Sequence, residues 1–258
     1  MTVALGIDIG GTGIKGALVD VETGEFVSER IKLDTPEGGL PEAIAATVVE
    51  LISQLGSAAD GVPVGVCFPA VVRHGTTMSA ANVSKQWIGL EAEKFFEKRL
   101  GRDIVFVNDA DAAGVAEARY GAAKGRDGLI ILTTLGTGIG TALIYNGVLV
   151  PNSELGHLEM NGKDAEKQAS YAAKEKKDLS WAKWAKRLQQ YYSVIELLFS
   201  PDLIIVGGGV SKSHEEFLPL LTLTAPIIPA LLRNNAGIVG AAALAVVPKV
   251  KHVTETIS

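Results

Sequence analysis

Four short stretches of this chain carry residues whose types and spacing suit chemistry. In the first, GIDIGGTGIK, an apolar run (Val3, Ala4, Leu5, Ile7, Ile9) carries one carboxylate, Asp8, just ahead of Gly10, Gly11, Thr12 and Gly13, with Lys15 two residues on. An unpaired buried carboxylate is costly, so Asp8 calls for a partner. Glycines accept φ > 0 and let a bulky anion reach backbone N–H groups, and the Thr12 hydroxyl adds a donor. The set suits a polyphosphate tail, although a lone glycine turn more often only reverses the chain.

A second copy favours the phosphate reading. LIILTTLGTGIGTAL repeats the pattern, with Gly136, Thr137 and Gly138 following Gly11, Thr12 and Gly13 at a constant offset of 125 (136 minus 11). An offset near half the chain length points to two similar lobes rather than a solenoid period. Two facing turns could then hold one phosphate chain between them. On that offset Thr133 takes the place of Asp8, so only one lobe offers a metal-directed carboxylate. The third stretch is Asn108-Asp109, where the apolar run Ile104 to Val107 meets a helix, the sheet edge at which α/β proteins bind ligands. The same residues also make an ordinary helix cap with an acidic first turn. The fourth is Glu154-Leu155-Gly156-His157, a carboxylate and an imidazole that a turn can aim at one ligand; a plain surface turn or a histidine metal site fits the spacing as well.

The elements that must position these residues read as α/β. After the first hairpin, Phe26 to Leu33 is expected as a third strand. A helix over Leu40 to Leu55, with Pro41 in its first turn and Gly56 beyond its end, follows from the apolar spacing. Strands at Pro63 to Phe68 and Ile104 to Val107 alternate with helices at 91–100 and 110–120. In the second half, Asn146-Gly147 closes a hairpin, Ser180 caps a helix over Trp181 to Phe199, and Leu203 to Val206 runs into Gly207-Gly208-Gly209. Residues 238–247 are small and apolar and form a closing helix. The expected division is a smaller lobe of residues 1–107, with helix 238–247 packed on it, and a larger lobe of residues 108–237.

Composition sets limits. With 47% hydrophobic and 21% charged residues the chain is an ordinary globular protein, and a net charge of −5 argues against general nucleic-acid binding. No secretory leader or membrane-length apolar run is read, so a cytoplasmic protein without a membrane partner is expected. One cysteine, Cys67, excludes an intrachain disulfide and a cysteine zinc cluster.

DIGGTGIK, NDADAAGVAE, LGTGIG and ELGH together resemble the bacterial ROK sugar kinases of the hexokinase and actin superfamily, and the resemblance covers both halves of the chain. It implies two ribonuclease-H-like lobes closing on a cleft, Asp109 as catalytic base, and Asn82, Asn108, Glu154 and His157 as sugar contacts. It also implies Mg²⁺ at Asp8, directly or through water, the donor phosphates on the two glycine turns and Lys15, and ATP's adenosine against Gly207 to Gly209. Homodimers are common in that family, so one is expected here. Residues 158–170 lack the family's zinc-loop cysteines, so no structural zinc is expected. The glutamate usually taken from that loop has two substitutes, Glu159 and Glu166, of which Glu166 is favoured.

The zinc-less form is similar to the actinobacterial members that phosphorylate the 6-hydroxyl of glucose, and in some cases mannose, from inorganic polyphosphate as well as ATP. An ATP-only hexokinase for another hexose or N-acetylhexosamine is the alternative. A ROK repressor would carry an N-terminal helix-turn-helix, where this chain enters a strand at Val3. Between Lys163 and Arg187 there are eight basic and four acidic residues. That local excess, with Lys174, Lys176 and Lys177 at its centre and Lys124 and Arg126 expected nearby, offers a track for a linear polyanion, against the ordinary reading of a solvated helix face.

Overall fold

The computed structural model describes residues 1–80 and 83–247. In the first half, β1 (Val3–Ile9), β2 (Gly13–Asp20), β3 (Glu25–Phe26), β4 (Ile31–Asp34), α1 (Pro41–Leu55) and β5 (Val64–Phe68) precede a small hairpin, β6 (Val72–Arg73) and β7 (Thr76–Thr77). Then come α2 (Ala92–Leu100), β8 (Ile104–Asn108) and α3 (Asp109–Tyr120). The second half contains β9 (Leu129–Leu135), β10 (Ile139–Tyr145), β11 (Val148–Val150), a short pair β12 (Glu159–Met160) and β13 (Lys163–Asp164), and the helices α4 (Glu166–Ala169), α5 (Tyr171–Lys176) and α6 (Trp181–Phe199). It closes with β14 (Leu203–Gly207), β15 (Ile227–Pro229) and α7 (Ala236–Ala245).

The two main sheets have one topology. The first runs β3-β2-β1-β5-β8, the second β11-β10-β9-β14-β15, and in each an antiparallel glycine hairpin is followed by parallel strands. Both glycine turns are closed by a backbone bond, Gly10 N–H to Gly13 O at 3.0 Å and Gly136 N–H to Gly138 O at 3.1 Å. Helices α3 and α7 fill the layer between the sheets, where Ala4, Ala17 and Val19 meet Ala113, Ala116, Ile130, Leu132, Ile238 and Val239. The small side chains of α7 permit close approach: at Gly6 any Cβ would collide with the carbonyl of Ile238. Outside the first sheet, Trp87 is fully buried against Phe68 and Phe96, and its indole N–H donates to Gly39 O at 2.8 Å. Outside the second, Trp184, Tyr191 and Tyr192 of α6 do the same work. Each large side chain so buried contributes about 1.5–3 kcal/mol.

Several expectations meet the structure directly. Pro41 opens α1, Ser180 Oγ caps α6 by accepting from Lys183 N–H, and Asn146 and Gly147 adopt φ of 49° and 78° as a tight hairpin turn requires. The single strand expected over Phe26 to Leu33 is instead β3 and β4, both paired to β2. Ser28 Oγ accepts the Leu18 N–H at 2.9 Å, replacing a ladder carbonyl and breaking the strand.

A second correction concerns the repeat. In the first hairpin Ile9 faces Ile14 across four residues, and in the second Leu135 faces Ile139 across three. The shorter turn moves the register by one, so the structural counterpart of Asp8 is Thr134, not Thr133. One residue of slip sends a side chain to the other face of a sheet. Thr134 accordingly borders the cleft, whereas Thr133 is buried with its hydroxyl 2.7 Å from that of Tyr192.

Candidate active site

The C-terminal ends of the central strands meet at a cleft of about 350 Å³ between the lobes. Gly10 and Gly11 line it from the first turn, Gly136, Thr137 and Gly138 from the second, and Asn108, Asp109, Glu154, His157, Glu166 and Gly208 complete its polar wall. Residues far apart in the chain are thus brought to one place by the duplicated topology.

Asn108 is both the last residue of β8 and the N-cap of α3, its Oδ1 accepting from Asp111 N–H at 3.0 Å and its Nδ2 donating to Ala70 O at 3.0 Å. That capping fixes the backbone of Asp109, the first helical residue, and sets its carboxylate on the cleft wall, where Oδ1 accepts from Ala110 N–H at 2.8 Å. Burial, and then the neighbouring charge of Asp8, push the Asp109 carboxyl up to about 7, with Glu154 adding to the rise and the Ala110 N–H opposing it. A carboxyl that titrates there is matched to accepting a proton near neutrality. Asp111 turns away from the cleft. Its Oδ2 accepts from Asn152 N–H at 2.8 Å, and burial raises it, too, to about 7.

Asp8, near the end of β1 ahead of the first turn, has its Oδ2 3.3 Å from Lys15 Nζ and its Oδ1 3.7 Å from the buried Cys67 thiol, and neither Asp8 nor Lys15 is among the residues lining the cleft. Burial and the Asp8 and Asp109 charges hold that thiol well above its ordinary value, so it stays protonated. The Asp8 charge acts on Asp109, and a divalent cation beside the two carboxylates would relieve that repulsion. Lys15 therefore reaches Asp8 first, and Thr12 is exposed at the tip of its turn.

The Glu154 to His157 element is a single 3-10 turn pressed against the start of β10, where Gly156 is required because a Cβ would strike Ile139 O. Burial raises the Glu154 carboxyl, and nearby His157 draws it back. His157 Nε2 lies 3.8 Å from Glu154 Oε2, and its Nδ1 lies 3.8 Å from Asp164 Oδ2. Glu166 closes the group, its Oε2 accepting from Ile139 N–H at 3.4 Å beside the second glycine turn. His157, Asp164 and Glu166 hold ligand atoms within 4.8 Å of one another. Glu159, the other substitute, is exposed and off the cleft wall.

Other expected site residues fall differently. Asn82 lies outside the described residues. Gly207 ends β14 and is buried, while Gly208 reaches the cleft and Gly209 is exposed beyond it. Lys124 and Arg126 precede β9, at the end of that strand away from its glycine turn. Seven residues at about 3.3 Å each separate them from it, too far to extend the same cradle. Lys174 is already engaged, its ammonium 4.3 Å from the ring centre of Trp181. The cleft residues missed by the sequence reading are Pro69, Ala70, Ser79, Ala80, Thr134, Ile139 and Gly140. Pro69 and Ala70 directly follow β5 and reach the cleft through its place between β1 and β8, which no local sequence signal gives.

Two lobes of like topology, with facing glycine turns around a pair of carboxylates, define the two-lobed fold of the actin and hexokinase class. The chain belongs to the ROK family, whose pattern matches residues 4–170. It is 49% identical over 238 residues to a polyphosphate glucokinase of Mycobacterium tuberculosis, covering 92% of this chain and 89% of that protein. The inorganic polyphosphate/ATP-glucomannokinase of Arthrobacter sp. strain KM superposes with a TM-score of 0.92 at 51% identity, covering 95% of this chain and 98% of that one. A ROK family glucokinase of Streptomyces griseus, solved in complex with glucose and AMPPNP, gives a TM-score of 0.82 at 26% identity, covering 94% and 98%. No helix among the described residues is long and apolar enough to cross a membrane.

Proposed function

We propose that the chain is a glucokinase that transfers a phosphoryl group from inorganic polyphosphate or ATP to the 6-hydroxyl of glucose, and of mannose as a second substrate. The observation that carries this reading is the cleft itself: one carboxylate tuned to near neutrality, Asp109, stands among sugar-type polar groups and between two phosphate-type turns. Relatives of about half identity whose names specify polyphosphate glucokinase and polyphosphate/ATP-glucomannokinase support the donor and the sugar.

In the reaction, Asp109 takes the 6-hydroxyl proton as the O6–P bond forms and the bridging P–O bond of the donor breaks. The products are glucose 6-phosphate and either ADP or a polyphosphate one unit shorter. Asn108, Glu154, His157 and Glu166 orient the sugar, with Asn82 a further contact. The turns at Gly10 to Gly13 and Gly136 to Gly138 hold the donor phosphates through N–H groups other than those of Gly10 and Gly136, which close the turns, and Gly207 to Gly209 meet the adenosine of ATP. Mg²⁺ at Asp8 would neutralise charge on the donor phosphates; Lys15 shares the Asp8 carboxylate and is placed to move onto phosphate.

A longer donor needs more cation than these turns supply. The Ala172 N–H donates to Gly136 O at 3.0 Å, which seats α5 directly on the second turn. From its far end Lys177 lies among Arg187, Lys163 and Lys176; desolvation and then those like charges lower its ammonium. This cluster, without Lys174, is the proposed polyphosphate track. Initial rates over a matrix of donors (ATP, short and long polyphosphate) and sugars (glucose, mannose, fructose, N-acetylmannosamine) test the reading. Activity with ATP alone, or with glucose the poorest sugar, overturns it.

A further inference from the structure

A closed circuit of hydrogen bonds runs behind the sugar wall and crosses from one lobe to the other. The side-chain amide of Asn152, in the segment after β11, pairs with the backbone of Val72 as a strand would: Oδ1 accepts from Val72 N–H at 2.8 Å and Nδ2 donates to Val72 O at 2.8 Å. The backbone N–H of Asn152 donates to Asp111 Oδ2 at 2.8 Å. Asp111 N–H donates to Asn108 Oδ1, and Asn108 Nδ2 donates to Ala70 O, two residues from Val72. Three walls of the cleft are thereby tied together: Ala70, Asn108, and the segment that carries Glu154 two residues after Asn152. Between them, Val71 N–H donates to Ser79 Oγ at 3.0 Å, and Ser79 also lines the cleft.

The clasp stands beside a second opening. The substrate cleft lies on one side, and on the other a cavity of about 680 Å³ is bordered by Val72, Asp111, Leu149, Asn152 and Leu244. Asn152 has φ of 60°, a left-handed conformation that asparagine tolerates better than most residues. Downstream, Thr141 of β10 holds Ser153 and Leu155 by side-chain bonds of 3.0 and 3.1 Å, so the Glu154 segment is fixed to β10 as one body, and the Asn152 clasp joins that body to Val72.

We propose that Asn152, seated on Asp111, is a positioning residue of the sugar site: its amide clasp on Val72 sets the distance between the Glu154 wall of one lobe and the Ala70 wall of the other. The inference rests on the sugar-kinase reading, and it assigns the clasp to sugar binding rather than to donor binding. The donor turns are held by their own closing bonds and do not belong to the circuit.

Asn152→Gly is the cleanest test, because glycine adopts the same φ without strain and only the two side-chain bonds are lost. In the full-length enzyme the KM for glucose should rise about tenfold, with kcat lowered severalfold, while the KM for either donor stays within twofold. Asn152→Asp, which keeps the acceptor for Val72 N–H but sets a carboxylate oxygen against Val72 O, should raise the KM for glucose at least as far and serves if the glycine variant does not fold. Equal shifts in sugar and donor KM, or no shift in either, overturn the proposal. A wild-type protein that phosphorylates no sugar would instead overturn the underlying functional reading, so the two failures are distinguishable.

Discussion

Replacing Asp109 by asparagine should remove activity and add stability, and the second effect should depend on pH. The carboxyl stands at about 7 in the folded protein against 3.8 as its ordinary value. Between those values the native state holds a proton that the unfolded chain has released, so this group's contribution to stability falls as pH rises through the window. Fully expressed, the difference corresponds to about 4 kcal/mol. Asp109 is only half-buried on an open cleft wall, and solvent screening reduces the expected amount to about 1–2 kcal/mol. For a chain of this size Asp109→Asn should therefore melt about 3–6 °C above wild type at pH 8 in metal-free buffer, and by a quarter of that or less at pH 4.5. Its amide oxygen can still accept the Ala110 N–H, so the cleft keeps its shape. The same variant should lose about a hundredfold or more in kcat while still binding glucose, since the proton acceptor is gone. Melting curves at the two pH values and steady-state rates make the test. A stability gain that does not grow with pH would refute the electrostatic argument, and a near-normal kcat would remove Asp109 from the mechanism.

The other expected outcomes are as follows. In wild type, kcat/KM for glucose should rise with pH and level off above about 7, because Asp109 must be ionised to accept the proton; a profile flat from pH 5.5 to 8 contradicts that assignment. Reversing the charge at Lys163, Lys176 and Lys177 together should raise KM for long polyphosphate about tenfold and leave KM for ATP within twofold. Added salt should do likewise, since these exposed charges are screened beyond about 8 Å at physiological ionic strength; equal responses of the two donors place the track elsewhere. Purified protein should contain no stoichiometric zinc, and chelation should abolish activity through loss of Mg²⁺ while circular dichroism stays unchanged. One tightly held zinc per chain by elemental analysis would show that His157, Asp164 and Glu166 form a metal site rather than a sugar wall.

Much of this protein is legible in its sequence because much of it is decided within a few residues. The glycine turns, the Asn108 cap that starts α3, the Ser180 cap of α6, the Asn146-Gly147 hairpin and the Glu154 to His157 turn each depend on local backbone preference and short-range hydrogen bonding. The family resemblance rests on those same local stretches. What the tertiary structure alone decided is which side chains share a space. The one-residue difference between the two turns makes Thr134, not Thr133, the counterpart of Asp8, because strand faces alternate and register is set only when both strands are paired. Pro69 and Ala70 enter the cleft because β5 docks between β1 and β8, a pairing across tens of residues. Lys174 lies over the ring of Trp181, and a whole strand separates Lys124 and Arg126 from the second glycine turn, placements that only the folded chain sets. Asn152 reaches Val72 only once the two lobes have met. Local sequence specifies the conformation of each segment, whereas contacts between distant segments depend on how their buried faces pack, and that is settled only by the whole fold.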